Sequence, residues 1–235
     1  MNMELKVIAH IHTGFNQKFG IPRQSGLVEG AVGYIVFEKE FRDPRLLEGI
    51  EGFDYLWLLW GFSKSEDNKF TATVRPPKLG GKVHMGVFAT RAPYRPNNIG
   101  LSSVKLLSVD WENSKGPVRV VGGVDMLDKT PIYDIKPYVP YADSHPGARG
   151  GFADAVSERK PAEVVDEEGV LEVLSPKTRS TVMELLKQDP RPAYDTNKER
   201  SVRLSYGDYD IEFVGNEEGQ IVIKGCTNIC SHDKM

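Results

Sequence analysis

The run from Phe53 to Phe62, FDYLWLLWGF, sets the strictest limit on what this chain can become. Almost every side chain in it is large and apolar, yet the run is far shorter than the roughly 20 residues that cross a bilayer. Its aromatic content favours a strand, and its continuity predicts one buried on both faces in the middle of a sheet. The polar residues that follow at once, Ser63, Lys64, Ser65 and Glu66, would put the rim of a pocket at the end of that strand.

Other strand signals surround this one with little helix between them: Leu5 to His12, Ala31 to Phe37, Thr71 to Arg75, Gly86 to Thr90, Leu101 to Val109 and Pro117 to Val124. Asp43-Pro44 reads as an N-cap and first helical position for a short helix through Leu47 to Ile50. Strands that succeed one another in this way predict an antiparallel sheet curled into a barrel, because closure removes exposed edges. From His145 to Val165 the strand pattern is lost. A soft boundary between about Pro146 and Ala162 therefore divides the chain into residues 1–146, the barrel, and 147–235, a smaller α+β domain. In the latter, Pro176 to Gln188 carries Val182, Leu185 and Leu186 at helical spacing, and Val202 to Tyr206, Asp210 to Val214 and Gln220 to Gly225 read as strands. The fold class is mainly β.

Charge and motifs narrow the function classes. A formal net charge of -3 argues against nonspecific coating of nucleic acid, so any RNA contact should be focal. No apolar run is long enough for a membrane span, and the first residues lack the basic region and cleavage site of a signal peptide; the expectation is a cytoplasmic protein with no membrane partner. Cys226, Cys230 and His232 are too few for a closed zinc site, and the expectation is reduced thiols and no metal. The sequence has no G-x-G-x-x-G after a strand, no phosphate-loop motif and no G-x-S-x-G, which sets aside doubly wound nucleotide folds and the familiar hydrolases.

Four polar clusters remain as candidates. Gly86 to Gly100, GVFATRAPYRPNNIG, places Arg91 and Arg95 among Pro93, Pro96, Phe88 and Tyr94. Proline stiffens the loop, guanidinium groups recognise carboxylate or phosphate, and an aromatic ring offers a face to a base. A surface crossover with solvated arginines is the alternative. Pro22-Arg23-Gln24-Ser25-Gly26 repeats the theme on a smaller scale. Arg75, Lys78 and Lys82 lie in a basic loop rich in proline and glycine. Finally, Asp125, Asp128 and Asp134 meet Lys129, Lys136 and Tyr138 in VDMLDKTPIYDIKPYVPYAD, where the carboxylates either accept protons or merely shape turns.

These motifs, in this order, resemble the TsaA-like family, also called TrmO: Pro22-Arg23-Gln24, FDYLWLLWGF, VRPPKLGG, GVFATRAPYRPNNIGLS and DMLDKTPIYDIKPYVPYAD, followed by DPRPAY in the second half. The resemblance implies a non-Rossmann β-barrel that uses S-adenosylmethionine, works as a homodimer and methylates the exocyclic amino nitrogen of threonylcarbamoyladenosine beside the anticodon of threonine tRNA. Carried over by residue, it implies cofactor contacts at Pro22, Arg23, Gln24, Arg91, Leu101, Gly123, Val124, Asp125, Met126 and Leu127. Ser63 and Lys64 stand where other members have His-Gln. Asp134, Lys136 and Tyr138 of the intact DIKPY segment are the candidate catalytic residues, with Asp134 as acceptor of a hydrogen bond from the amine and Tyr138 or Tyr94 stacking on the base. A structural ion pair between Asp134 and Lys136 is the alternative. Arg75, Lys78 and Arg95 are the implied tRNA contacts. A noncatalytic nucleotide- or tRNA-binding regulatory barrel, or a methyltransferase with another substrate, stays open at this point.

Overall fold

The computed structural model describes residues 4–63, 69–76, 79, 82–114, 116–157, 160–191 and 200–230. Its first half is built from β1 (Ala9–Thr13), β2 (Val32–Phe37), β3 (Tyr55–Gly61), β4 (Thr73–Val74), β5 (Met85–Gly86), β6 (Ile99–Asp110), β7 (Val118–Gly122) and β8 (Thr130–Pro137). Six of these close a barrel in the order β1-β2-β7-β6-β3-β8, and β8 returns to β1; every pairing in it is antiparallel. β4 and β5 form a separate two-stranded ribbon.

The central run does form the strand β3, but it is not buried on both faces. Leu56, Leu58 and Trp60 point into the barrel and are almost fully buried, whereas Tyr55 is exposed and Trp57 and Leu59 are half-covered. A closed barrel has one packed interior, so its strands alternate even when the outward residues are apolar. Ile11, Ile35, Val104, Val121 and Ile132 complete that interior with no exposure. Arg119 on β7 is wholly buried toward the end of the barrel where β7 begins, its guanidinium 5.6 Å from the Phe37 ring and 5.5 Å from the Trp111 ring. Its three side-chain nitrogens have no hydrogen-bond partner among the described residues, and burial lowers its pKa to about 10, against the pull of Glu51.

Two local expectations are corrected. Residues 87–89, expected inside a strand from Gly86 to Thr90, form a 3-10 turn, because Arg95 bonds to carbonyls that a strand would direct elsewhere. The helix expected from Asp43 to Ile50 is two short 3-10 turns, Pro44–Leu47 and Ile50–Gly52, the first capped by the Asp43 carboxylate on the Arg45 amide.

Beyond the barrel come α1 (Pro140–Asp143), α2 (Phe152–Ser157), β9 (Val164–Val165), α3 (Pro176–Lys187), β10 (Val202–Tyr206), β11 (Tyr209–Gly215) and β12 (Ile221–Asn228). The last three strands form an antiparallel meander, and β9 adds in parallel beside β12. α3 starts on Ser175, which accepts the Thr178 amide, and buries Thr181, Val182, Leu185 and Leu186. The 3.6-residue period predicts that face. Among the described residues no helix is long and apolar enough to cross a membrane.

Candidate active site

One end of the barrel carries a cleft of about 560 Å³, within the range of roughly 300–1,000 Å³ typical of small-ligand sites. It lies where β1 and β3 end, where β6 and β8 begin, and where the chain leaves β7. Its walls come from three loops. The long β1–β2 loop supplies Ile21, Pro22, Arg23 and Gln24; the proline-rich loop supplies Thr90, Arg91, Pro93, Tyr94 and Arg95; the segment after β7 supplies Asp125 and Leu127. Trp60, Gly100, Leu101 and Thr130 form its floor from the strand ends.

Among the described residues four cations line this cleft, Lys18, Arg23, Arg91 and Arg95, against a single carboxylate, Asp125. Asp125 is held from below by a relay: Trp60 Nε1 donates to Ser102 Oγ at 2.9 Å, and Ser102 Oγ donates to Asp125 Oδ1 at 2.7 Å. Burial pushes its pKa up to about 6, opposed by the Ser102 hydroxyl, by its own and the Ser25 amides, and by the nearby Arg91. An acid poised there changes charge near neutrality, which a solvated aspartate does not.

Alternation explains how the segment from Gly123 to Leu127 divides its work. Asp125 and Leu127 face the cleft, while Val124 and Met126 are buried in the core at 0% and 1% exposure. Gly123 neither lines the cleft nor packs a side chain. With φ +71° it brings its carbonyl to the Gly26 amide at 2.8 Å, and a Cβ there would stand 3.0 Å from the Gly26 backbone. Only glycine fits that approach. Gly123 thus pins the β1–β2 loop, whose Gln24 side chain accepts a hydrogen bond from Arg91 across the cleft.

The other sequence-derived residues fall in three groups. Ser63 lines the cleft, and Leu101 does so while half exposed. Lys64 and Lys78 lie outside the described residues. Asp134, Lys136 and Tyr138 are away from the cleft. Asp134 and Lys136 form an exposed ion pair at 2.8 Å, opposite Leu59 and Trp57 of β3, and the Asp134 carboxylate also accepts the Ile135 amide. Tyr138 sits at the far end of β3, its ring centroid 6.2 Å from Tyr55 and 5.7 Å from Trp57. Antiparallel geometry, with about 3.4 Å per residue, carries these residues progressively away from the β8 start at Thr130.

Arg95 and Arg75 are engaged locally. Arg95 Nη1 donates to the Thr90 carbonyl at 2.7 Å and the Val87 carbonyl at 3.1 Å, and its guanidinium lies over Phe88. Arg75 Nε points to His84 Nε2 at 3.0 Å. Arg95 therefore ties its own loop. Replacing it by Ala should lower stability by about 2 kcal/mol, the order expected for charged donors to half-buried carbonyls, and should weaken ligand binding through loop disorder. Thermal melts with and without ligand would check this; unchanged stability with a smaller salt dependence of RNA binding would instead mark a phosphate contact.

A closed antiparallel barrel whose rim cleft carries, among the described residues, four cations and one buried carboxylate defines a small-ligand site on a fold that is not doubly wound. Family profiles make the assignment specific: tRNA-methyltransferase O N-terminal domain matches residues 10–144, and TrmO C-terminal domain matches residues 164–228. The chain belongs to the tRNA-methyltransferase O family. A tRNA (adenine(37)-N6)-methyltransferase of Escherichia coli K12 is 37% identical over 203 residues, covering 84% of this chain and 86% of that protein. A Pseudomonas aeruginosa PAO1 protein designated a candidate S-adenosylmethionine-dependent methyltransferase, RcsF, is 40% identical over 199 residues, covering 83% and 84%. The crystal structure of TrmO from Pseudomonas aeruginosa superposes with a TM-score of 0.75 at 32% identity, covering 97% of this chain and 98% of that one.

Proposed function

We propose that this chain is an S-adenosylmethionine-dependent methyltransferase acting on the N6 nitrogen of adenosine 37 in tRNA, as threonylcarbamoyladenosine beside the anticodon of threonine tRNA. The observation that carries the reading is the cleft itself: it brings Pro22, Arg23, Gln24, Arg91, Leu101, Asp125 and Leu127, which are distant in sequence, to one mouth of the barrel. The residues present suit the cofactor. Arg23 and Arg91 match a carboxylate, Gln24 adds a hydrogen-bonding group, and Ile21, Trp60 and Leu101 offer apolar surface to an adenine ring. When bound there, S-adenosylmethionine supplies a methyl group on a sulfonium.

Transfer forms a carbon–nitrogen bond at N6, breaks the carbon–sulfur bond and releases the one hydrogen that N6 carries. That nitrogen is a poor nucleophile because its lone pair is delocalised into the purine and the carbamoyl group. A group that takes the proton raises its reactivity. We assign this role to Asp125 in place of Asp134, because among the described residues Asp125 is the one carboxylate lining the cleft and Asp134 is occupied by Lys136. Asp125 would accept the N6 proton, and the Ser102–Trp60 relay would steady the carboxylate in both charge states. Tyr94, which lines the same cleft, would stack on the base.

The proposal extends to a homodimer in the cytoplasm, with the exposed Phe88 as an apolar group for a second copy to cover, and to a division of the chain between residues 146 and 147. The test is transfer of labelled methyl from S-adenosylmethionine to threonine tRNA with and without the threonylcarbamoyl group. The expected result is incorporation at adenosine 37 only when the modification is present. Cofactor binding with no transfer to either tRNA would favour the regulatory barrel or another substrate.

A further inference from the structure

The β1–β2 loop carries Arg23 and Gln24 to the cleft, yet both of its feet rest on the C-terminal sheet and helix. At the first foot, the Gly207 amide donates to the Gly14 carbonyl at 2.8 Å, Asn16 Nδ2 donates to the Gly207 carbonyl at 2.7 Å, and Gln17 Nε2 donates to Ser205 Oγ at 3.0 Å. At the second, Thr181 Oγ1 on α3 donates to the Gly30 carbonyl at 3.0 Å, and a Cβ on Gly30 would stand 2.5 Å from that oxygen. Tyr206 spans the two. Its ring packs edge-on to Phe15 with centroids 5.3 Å apart, and its hydroxyl interacts with the Thr181 side chain and the Val32 backbone.

The two feet stand at Gly14–Gln17 and Gly30, on either side of Arg23 and Gln24, so the position of the tip follows the position of those feet. From the barrel side the tip is held by the Gly26–Gly123 hydrogen bond, by the Ser25 amide on the Asp125 carboxylate and by the Gln24–Arg91 contact. We propose that the C-terminal unit sets the affinity of the cleft for its cofactor by fixing the feet of this loop, with Tyr206 and Thr181 as positioning residues. The inference rests on the reading of the cleft as the S-adenosylmethionine site. It gives the C-terminal unit a task at the cofactor, separate from any grip on RNA.

The test is isothermal titration of the full chain with S-adenosylmethionine, alongside steady-state kinetics, for a Tyr206→Phe, Thr181→Val double variant. Loss of these hydroxyl contacts should weaken cofactor binding about tenfold, the scale of one or two net hydrogen bonds. The kcat at saturating cofactor and the affinity for tRNA should stay unchanged, and Thr181→Ser with Tyr206 intact should restore cofactor affinity. A lower melting temperature with unchanged cofactor affinity would overturn the proposal, since a merely structural contact behaves so. Should the double variant fail to fold, Asn16→Ala with Gln17→Ala removes contacts at the surface, and undiminished cofactor binding there overturns it equally. Failure of the unaltered chain to bind S-adenosylmethionine would overturn the cofactor reading beneath it.

Discussion

Replacing Asp125 by Asn should slow methyl transfer by roughly 10²- to 10⁴-fold while leaving the barrel folded, the range expected for losing a positioned proton acceptor. The variant keeps the shape of the side chain and a partner for Ser102, so S-adenosylmethionine should still bind within a few-fold. pH separates this from a general loss of order. In the unaltered chain burial holds the Asp125 pKa near 6, so the carboxylate is protonated and idle below that value and competent above it. The rate should climb through about pH 6 and level off, and the Asn variant should lose that limb. Stability should move oppositely. A carboxyl whose folded pKa is raised from 3.8 to about 6 contributes stability below pH 3.8 that is lost as pH rises through 6. Near neutrality the ionised group therefore destabilises the fold by up to about 3 kcal/mol, taken from 1.36 kcal/mol per pKa unit. The Asn variant should accordingly melt higher than the unaltered chain at pH 7 to 8. A pH–rate profile and melts at pH 5 and 8 decide the matter. A variant that transfers methyl at near full rate would return the acceptor role to a backbone carbonyl or to positioning alone.

Arg91→Ala should weaken S-adenosylmethionine binding by about 10- to 100-fold, the worth of a charge-assisted contact at roughly 1.5–3 kcal/mol. Two losses combine in it. The guanidinium no longer bridges the cleft to Gln24, so the tip of the β1–β2 loop loses one of its ties to the barrel, and the cofactor loses a cation for its carboxylate. Arg91 also favours the ionised form of Asp125. Its removal should shift the acidic limb of the rate profile upward in pH. Titration calorimetry with ATP as a control measures the first effect, and single-turnover rates at saturating cofactor across pH measure the second. Full binding by the variant would move the cofactor away from this loop.

How far such a site can be read in advance depends on what each residue's role requires. Pro22 to Gln24, Arg91 and Leu101 stand out because proline, glycine and guanidinium groups concentrated in loops mark stiff, polar connections, and the structure brings these loops to one mouth. The barrel is legible for a similar reason, since strands succeed one another with little helix between them. Position along a strand is less visible. Asp134, Lys136 and Tyr138 follow Thr130 in an uninterrupted motif, but each step along β8 carries them farther from the cleft, and sequence order does not say which end of a strand a ligand meets. Asp125 was visible as one acid among several. Its distinction comes from burial and from Ser102 and Trp60, whose partnership across neighbouring strands needs the register of the sheet. Arg95 illustrates the same limit, because nothing in its neighbours announces that its guanidinium serves carbonyls of its own loop.

Arg119, flanked by Phe37 and Trp111, fills the end of the barrel opposite the cleft, and the apolar side chains packed between the two leave no passage through the middle. On the proposed reading the cofactor and the nucleotide both reach the molecule at the opposite mouth, and the expected order is cofactor first and RNA second, which product-inhibition patterns check. A plugged barrel thus confines both visitors to one face, and access becomes a matter of precedence as well as of fit.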